Sequence, residues 1–216
     1  MLLTRTDAGR QLAGRLQSLA VGSPVVLALS RSGARVADAV AEALGAPLDM
    51  LCARRLEVPG RPHSMFGAVA NGVIRLDAAA TRRLGLPAAY VDRLAQLAMR
   101  DAEFMTRSCR GGELPVSVAG RTAILVDDGF AEPILLEAAA AALRELGARH
   151  IVLATPALTD EGRARLESLV DQLVVLAEGG GFPRVCDTGF AQTTVPEVRA
   201  LIRRSRERAA DPMMPA

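Results

Sequence analysis

Lysine is absent from this chain, and all 26 basic residues are arginine. No side chain can therefore form a Schiff base or offer a phosphate an ammonium point charge, so guanidinium groups do all cationic work. A GC-rich coding bias accounts for that choice without a functional reason. Tryptophan is also missing, and there is one tyrosine. With scattered charges and a net charge of only +2, a stacking platform for single-stranded nucleic acid is excluded. Aromatic residues make up 3% of the chain, so the core must be built from Ala, Val and Leu. Cys52, Cys109 and Cys186 are far apart and form no Cys-x-x-Cys pair. They read as reduced thiols of a cytoplasmic protein, with neither a disulfide frame nor a zinc site. No apolar run approaches the roughly 18 residues of a membrane span. The N-terminus lacks the charged start and apolar stretch of a signal peptide.

What is present alternates. The 216 residues suit one domain, or one domain with a small appendage. Apolar spacing predicts a helix from Asp7, as N-cap, to Leu19. Short apolar strands are expected at Val25–Leu29, Leu48–Cys52, Thr122–Val126, His150–Thr155 and Leu173–Leu176. Helices are expected at Arg35–Leu44, Ala88–Cys109, Pro133–Leu146, Asp160–Leu169 and Pro196–Arg208, with Gly45, Gly111-Gly112 and Gly147 as stops. The long Ala88 helix places Tyr90, Leu94, Leu97 and Met105 on or near one face. Residues 57–64 read as a loop, and Asn71-Gly72 between Phe66–Ala70 and Val73–Leu76 is a hairpin signal. Residues 209–216 read as a frayed tail. Alternating strands and helices imply an α/β fold with a mostly parallel sheet flanked by helices.

One stretch carries chemistry. Ile124-Leu125-Val126 runs into Asp127-Asp128-Gly129, and an alanine-rich helix follows. A buried strand that delivers paired acids to its C-terminal end lies where open α/β sheets bind ligands. Two acids there can also simply cap a turn; the pair, the glycine and the helix together favour a site.

Three segments together resemble type I phosphoribosyltransferases, and the likeness runs nearly end to end. Val25 through Gly33 is similar to the family's first strand and pyrophosphate loop, with Ser30-Arg31-Ser32-Gly33 where Pro-Arg-Gly-Gly is usual. Ala46-Pro47-Leu48-Asp49-Met50 followed by Arg54-Arg55-Leu56 resembles the second strand and its Arg-Lys pair. Gly120 through Gly129 resembles the signature strand. Weaker echoes are Gly67–Ala70, Tyr90 with Arg110-Gly111-Gly112, and Phe190-Ala191-Gln192-Thr193.

The resemblance implies a single domain over residues 1–208. Its small hood would come from the N- and C-terminal segments, with the residue 57–76 hairpin as a further candidate. It implies a ribosyl phosphate or nucleotide substrate and a homodimer. Asp127 and Asp128 would be catalytic, accepting hydrogen bonds from the ribose hydroxyls and holding Mg2+ through water. Arg31, Ser32, Gly33 and Arg54 or Arg55 would take the leaving anion, one arginine of that pair facing the site and the other the surface or a partner. Gly129, Ala131 and Glu132 would line the 5′-phosphate loop.

That loop departs from the family's Ala-Thr-Gly-x-Thr. Ala131 is followed by Glu132-Pro133-Ile134-Leu135, which lacks both hydroxyls and one N–H. A carboxylate at a helix start is stabilised by roughly 0.3–1 kcal/mol. Glu132 either replaces the phosphate or points to solvent and merely starts the helix. In the first case a phosphate about 4 Å away would be repelled by about 4 kcal/mol per unit charge at an effective dielectric near 20. Two activities stay open: non-standard chemistry on a ribosyl compound, and a catalytically silent nucleotide-binding regulator or scaffold. His63 is a loop histidine or a general base, and His150 a surface residue. Gly179-Gly180-Gly181 before Phe182-Pro183 reads as a loop over the base pocket, without dinucleotide spacing.

Overall fold

The computed structural model describes residues 4–18, 23–177 and 193–210. Five parallel strands form the main sheet in the order β2-β1-β6-β7-β8. They are β1 (Val25–Ala28), β2 (Leu48–Met50), β6 (Thr122–Val126), β7 (His150–Ala157) and β8 (Gln172–Ala177). Every residue of β1 and β6 is buried, as a parallel sheet covered on both faces requires. On one face pack α1 (Arg5–Leu16), α2 (Ala34–Leu44) and α7 (Val195–Ala210). On the other lies α5 (Pro133–Glu145), whose alanines and leucines close the second half of the core. The expected α/β architecture is what the chain adopts.

A second, antiparallel sheet stands beside the first, in the order β3-β4-β5. It comprises β3 (Ala53–Glu57), β4 (Met65–Ala70) and β5 (Val73–Leu76). Its turn is the anticipated Asn71-Gly72, both at positive φ (42° and 86°), as a type I′ hairpin needs. The sheet packs between α5 and the pair α3 (Ala78–Leu84) and α4 (Ala88–Arg110). Helices α1 and α7 run along the α2 face of the main sheet. The residue 57–76 hairpin belongs to the second sheet.

Several local expectations change. Asp7 is the third helical residue and not the N-cap; Thr4 takes that place and pairs with Asp7 in a capping box. The box needs a hydroxyl with an acid three residues on, and Thr4 has both whereas Thr6, with Gly9 in that place, does not. Strand β3 appears because Ala53 to Glu57 finds a partner edge in β4. Helix α3 appears because Asp77 caps it and Gly85, at φ 63°, stops it. Helix α6 (Asp160–Leu166) ends short of Leu169, whereas α7 includes Ala209 and Ala210, placed in the tail by sequence. The long helix α4 buries Val91, Ala95, Ala102 and Cys109, while Tyr90 and Leu97 lie outside with Phe104. Small side chains bring α4 close to its neighbours, so the larger ones are left on the outer face. The expectations for Gly179–Gly181, Phe182-Pro183, Cys186, Phe190–Gln192 and 211–216 fall outside the described residues.

One contact sets the position of α1. A Cβ at Gly9 would lie 2.5 Å from the Val36 carbonyl oxygen and 2.7 Å from Ala39 Cβ of α2. Gly14, on the same helix, faces open space. Alanine improves a helix over glycine by about 1 kcal/mol, whereas overpacking costs about 1–3 kcal/mol. Gly14→Ala is therefore expected to stabilise the protein in urea unfolding, and Gly9→Ala to destabilise it by about 1–2 kcal/mol. Equal effects of the two would show that α1 and α2 are not in close contact.

Candidate active site at the sheet switch point

Strands β1 and β6 are neighbours, but the chain leaves β1 toward β2 and leaves β6 toward β7. The strand order thus reverses between them, and the crevice beyond their C-terminal ends is where such sheets bind ligands. The two loops that meet there are residues 29–33 and 127–132. Leu29 N–H donates to the Val126 carbonyl at 3.0 Å, and the Ser30 hydroxyl accepts from Gly33 N–H at 3.0 Å. A Cβ on Gly33 would lie 3.4 Å from the Val126 oxygen and 3.6 Å from Asp127 Cα. The residue 30–33 turn thus lies against the acid loop, at distances that a Cβ on Gly33 would meet as ordinary contact. Arg31 itself is half-buried, and its charge is felt at Cys109, near the C-terminal end of α4.

Asp127 and Asp128 are both buried, at 2% and 4% exposure. Asp127 Oδ2 accepts from Gly129 N–H at 2.7 Å and from Ala131 N–H at 3.2 Å, so this acid also shapes its own loop. Gly129 permits the turn at φ 88°. Burial, and then the charge of Asp128, push the Asp127 carboxyl up to about 7, against the backbone donors. Burial also raises Asp128, opposed by Arg5. The Arg5 guanidinium donates to Asp128 Oδ2 through Nε at 3.3 Å and Nη2 at 3.1 Å. Nothing in the sequence pattern pointed to Arg5. It opens a helix 123 positions away, and only the packing of α1 on α2 brings it here.

Glu132 is the N-cap residue of α5, ahead of Pro133, but its side chain caps no helix N–H. Instead Arg55 grips it with two bonds, Nε to Oε2 at 3.0 Å and Nη2 to Oε1 at 2.7 Å. Arg54, next along β3, turns the other way to Asp101 of α4. Alternation along the strand separates the two arginines, so Arg55 joins the acid loop and Arg54 does not. His63 is exposed in its loop. His150 opens β7 near the surface, 3.8 Å from Asp171.

The chemistry available is that of two adjacent buried carboxylates with guanidinium groups around them. Among the described residues no group of three or more His, Cys, Asp or Glu side chains is placed to hold a metal ion. An all-protein metal cage is thus not what this site offers. Two carboxylate oxygen donors do suit magnesium, which keeps several waters and takes one or two acids. A cavity of about 450 Å³ lies elsewhere, between α4, the β2–β3 junction and residues 112–115. Neither acid lines it, and its charged walls are internally paired as Arg110–Asp49, Arg107–Glu103 and Arg206–Glu113. The switch point is therefore the candidate site.

No protein-family model matches the chain. Proteins of Mycobacterium tuberculosis strains CDC 1551 / Oshkosh and H37Rv, each provisionally named a phosphoribosyl transferase, are 38% identical to it over 210 residues, or 96% of this chain. The chain spans about half their length, 47%. The crystal structure of TT1426 from Thermus thermophilus is similar over 94% of this chain and 98% of that one, at 31% identity and a TM-score of 0.76. A Neisseria gonorrhoeae protein at 9% identity and TM-score 0.51 shares the fold alone. By its sheet order and by relatives alike along almost its whole length, the chain belongs to the type I phosphoribosyltransferase family.

Proposed function

We propose that the protein acts on a ribosyl compound at Asp127 and Asp128, by transfer or cleavage at the anomeric carbon. The observation that carries this reading is the buried acid pair at the switch point, packed against the Arg31 loop. The two carboxylates accept hydrogen bonds from ribose hydroxyls and favour the positive charge that develops on the sugar as its bond breaks. Arg31, Ser32 and Gly33 take the leaving anion, while Arg55, expected there as a second cation, is held by Glu132 at the start of α5. Bound magnesium would neutralise an anionic leaving group; Asp127 and Asp128 would hold it through water. The substrate is non-standard. The Arg55–Glu132 pair occupies the start of α5, where a family member without such a pair would offer N–H groups to a 5′-phosphate. A ribosyl compound lacking that phosphate avoids the Glu132 charge.

Calorimetry with phosphoribosyl pyrophosphate, ribose 1-phosphate and nucleosides, each with and without magnesium, tests the reading. Magnesium-dependent binding of a compound without the 5′-phosphate is expected, lost in Asp128→Asn. Glu132→Thr with Pro133→Gly is expected to raise affinity for phosphoribosyl pyrophosphate at least about tenfold, since it removes one like charge and restores an N–H. No gain would count against the replaced-phosphate idea.

One observation favours a second reading, a silent nucleotide-binding regulator or scaffold: all three acids of the loop already have protein partners. Silence toward every ligand, with tight binding to another protein, would select it. Buried free thiols at Cys52 and Cys109 suit a cytoplasmic protein. A homodimer is the expected state, to be checked by light scattering.

A further inference from the structure

The contact that neither the family pattern nor the ribosyl reading calls for is Arg5 on Asp128. We propose that Arg5 holds the cation position of the acid pair, making the first turn of α1 a latch that a divalent cation must displace. The inference rests on the acid pair being the site, but not on any ribosyl ligand.

Three features support it. First, the contact is not a surface accident: the two side chains are 12% and 5% exposed. A carboxylate this buried needs a partner, the more so beside a second acid. Second, Arg5 places two bonds on one oxygen, Asp128 Oδ2. An incoming cation at that oxygen meets a fixed positive charge. Third, the latch is carried on a rigid element. The Thr4–Asp7 capping box defines where α1 begins, and Gly9 seats the helix against the Val36 carbonyl. Arg5 is thus held at Asp128 by two anchors that touch neither acid.

The test is titration of the purified chain with Mn2+, followed by the paramagnetic signal of free ion, with no ribosyl compound present. Arg5→Gln is expected to bind Mn2+ at least about tenfold more tightly than wild type, because one opposing unit charge is gone. Adding Asp128→Asn should remove the gain. Arg5→Lys, which keeps the charge, should stay near wild type. Thr4→Ala, which loosens the first turn and keeps Arg5, should move affinity in the same direction by a smaller factor. It serves if Arg5→Gln does not fold, as judged by its melting curve. Unchanged or weaker Mn2+ binding in the folded variants would overturn the latch. A gain in Arg5→Gln with no ribosyl ligand ever binding would sink the ribosyl reading and leave the latch standing.

Discussion

Asp127→Asn is expected to raise stability above neutral pH while abolishing ligand binding. The folded protein holds the Asp127 carboxyl at about 7, whereas in the unfolded chain it titrates near about 3.9. Between those values the folded state binds a proton that the unfolded state has lost. For this group, stability is greatest below the unfolded value and is lost as pH rises through the folded one. Ionised Asp127 is therefore a stability cost at neutral pH, of the kind functional sites retain. Asparagine keeps an oxygen to accept from Gly129 and Ala131 and carries no charge. The same change removes the repulsion on Asp128. Urea unfolding at pH 5 and pH 8 should show a gap between variant and wild type that widens with pH. Calorimetry should show the magnesium-dependent ribosyl signal gone. Parallel stability curves would sink the electrostatic account, and retained binding would sink the site assignment.

Asp49→Ala should have the largest effect on folding. Asp49 lies wholly buried in the middle of β2. Its carboxylate accepts from Arg110 Nε at 2.8 Å, Met50 N–H at 2.7 Å and Val116 N–H at 2.8 Å, with Arg206 at 3.4 Å. One side chain thus ties the edge strand, the end of α4, the segment leading to β6 and α7 into a single knot. Alanine leaves a largely buried guanidinium and two backbone N–H groups without their acceptor. Breaking one partner of such a pair costs about 3–5 kcal/mol. Arg54→Ala is the control: its partner Asp101 is mostly exposed, so under about 1 kcal/mol should be lost. A loss below about 1 kcal/mol for Asp49→Ala in urea unfolding would show that the knot is not a stability element.

Asp49 also shows how sequence can mark such a place. A lone acid inside the apolar run Leu48 to Cys52 must find a cation when the strand is buried, although nothing local says which arginine answers. Arg54 and Arg55 show the complementary limit. Strand alternation states that they point apart, but which faces the acid loop depends on how β3 lies against β4 and α5. Glu132 shows a third case. Its position at the helix start is readable, whereas its bidentate partner is 77 positions away.

The family, the parallel sheet and the acid pair were determined by the sequence alone. Each rests on short-range pattern: buried runs of period suited to strands, glycine stops, and two carboxylates between a strand and a helix. The second sheet's β3, the turning of Arg54 away from the site, the Arg55 grip on Glu132 and the Arg5 latch on Asp128 were decided only by tertiary structure. The physical reason is common to all four. A charged side chain is locally compatible with many directions, and its direction is chosen by whichever opposite charge or open strand edge the packed core brings within about 3 Å.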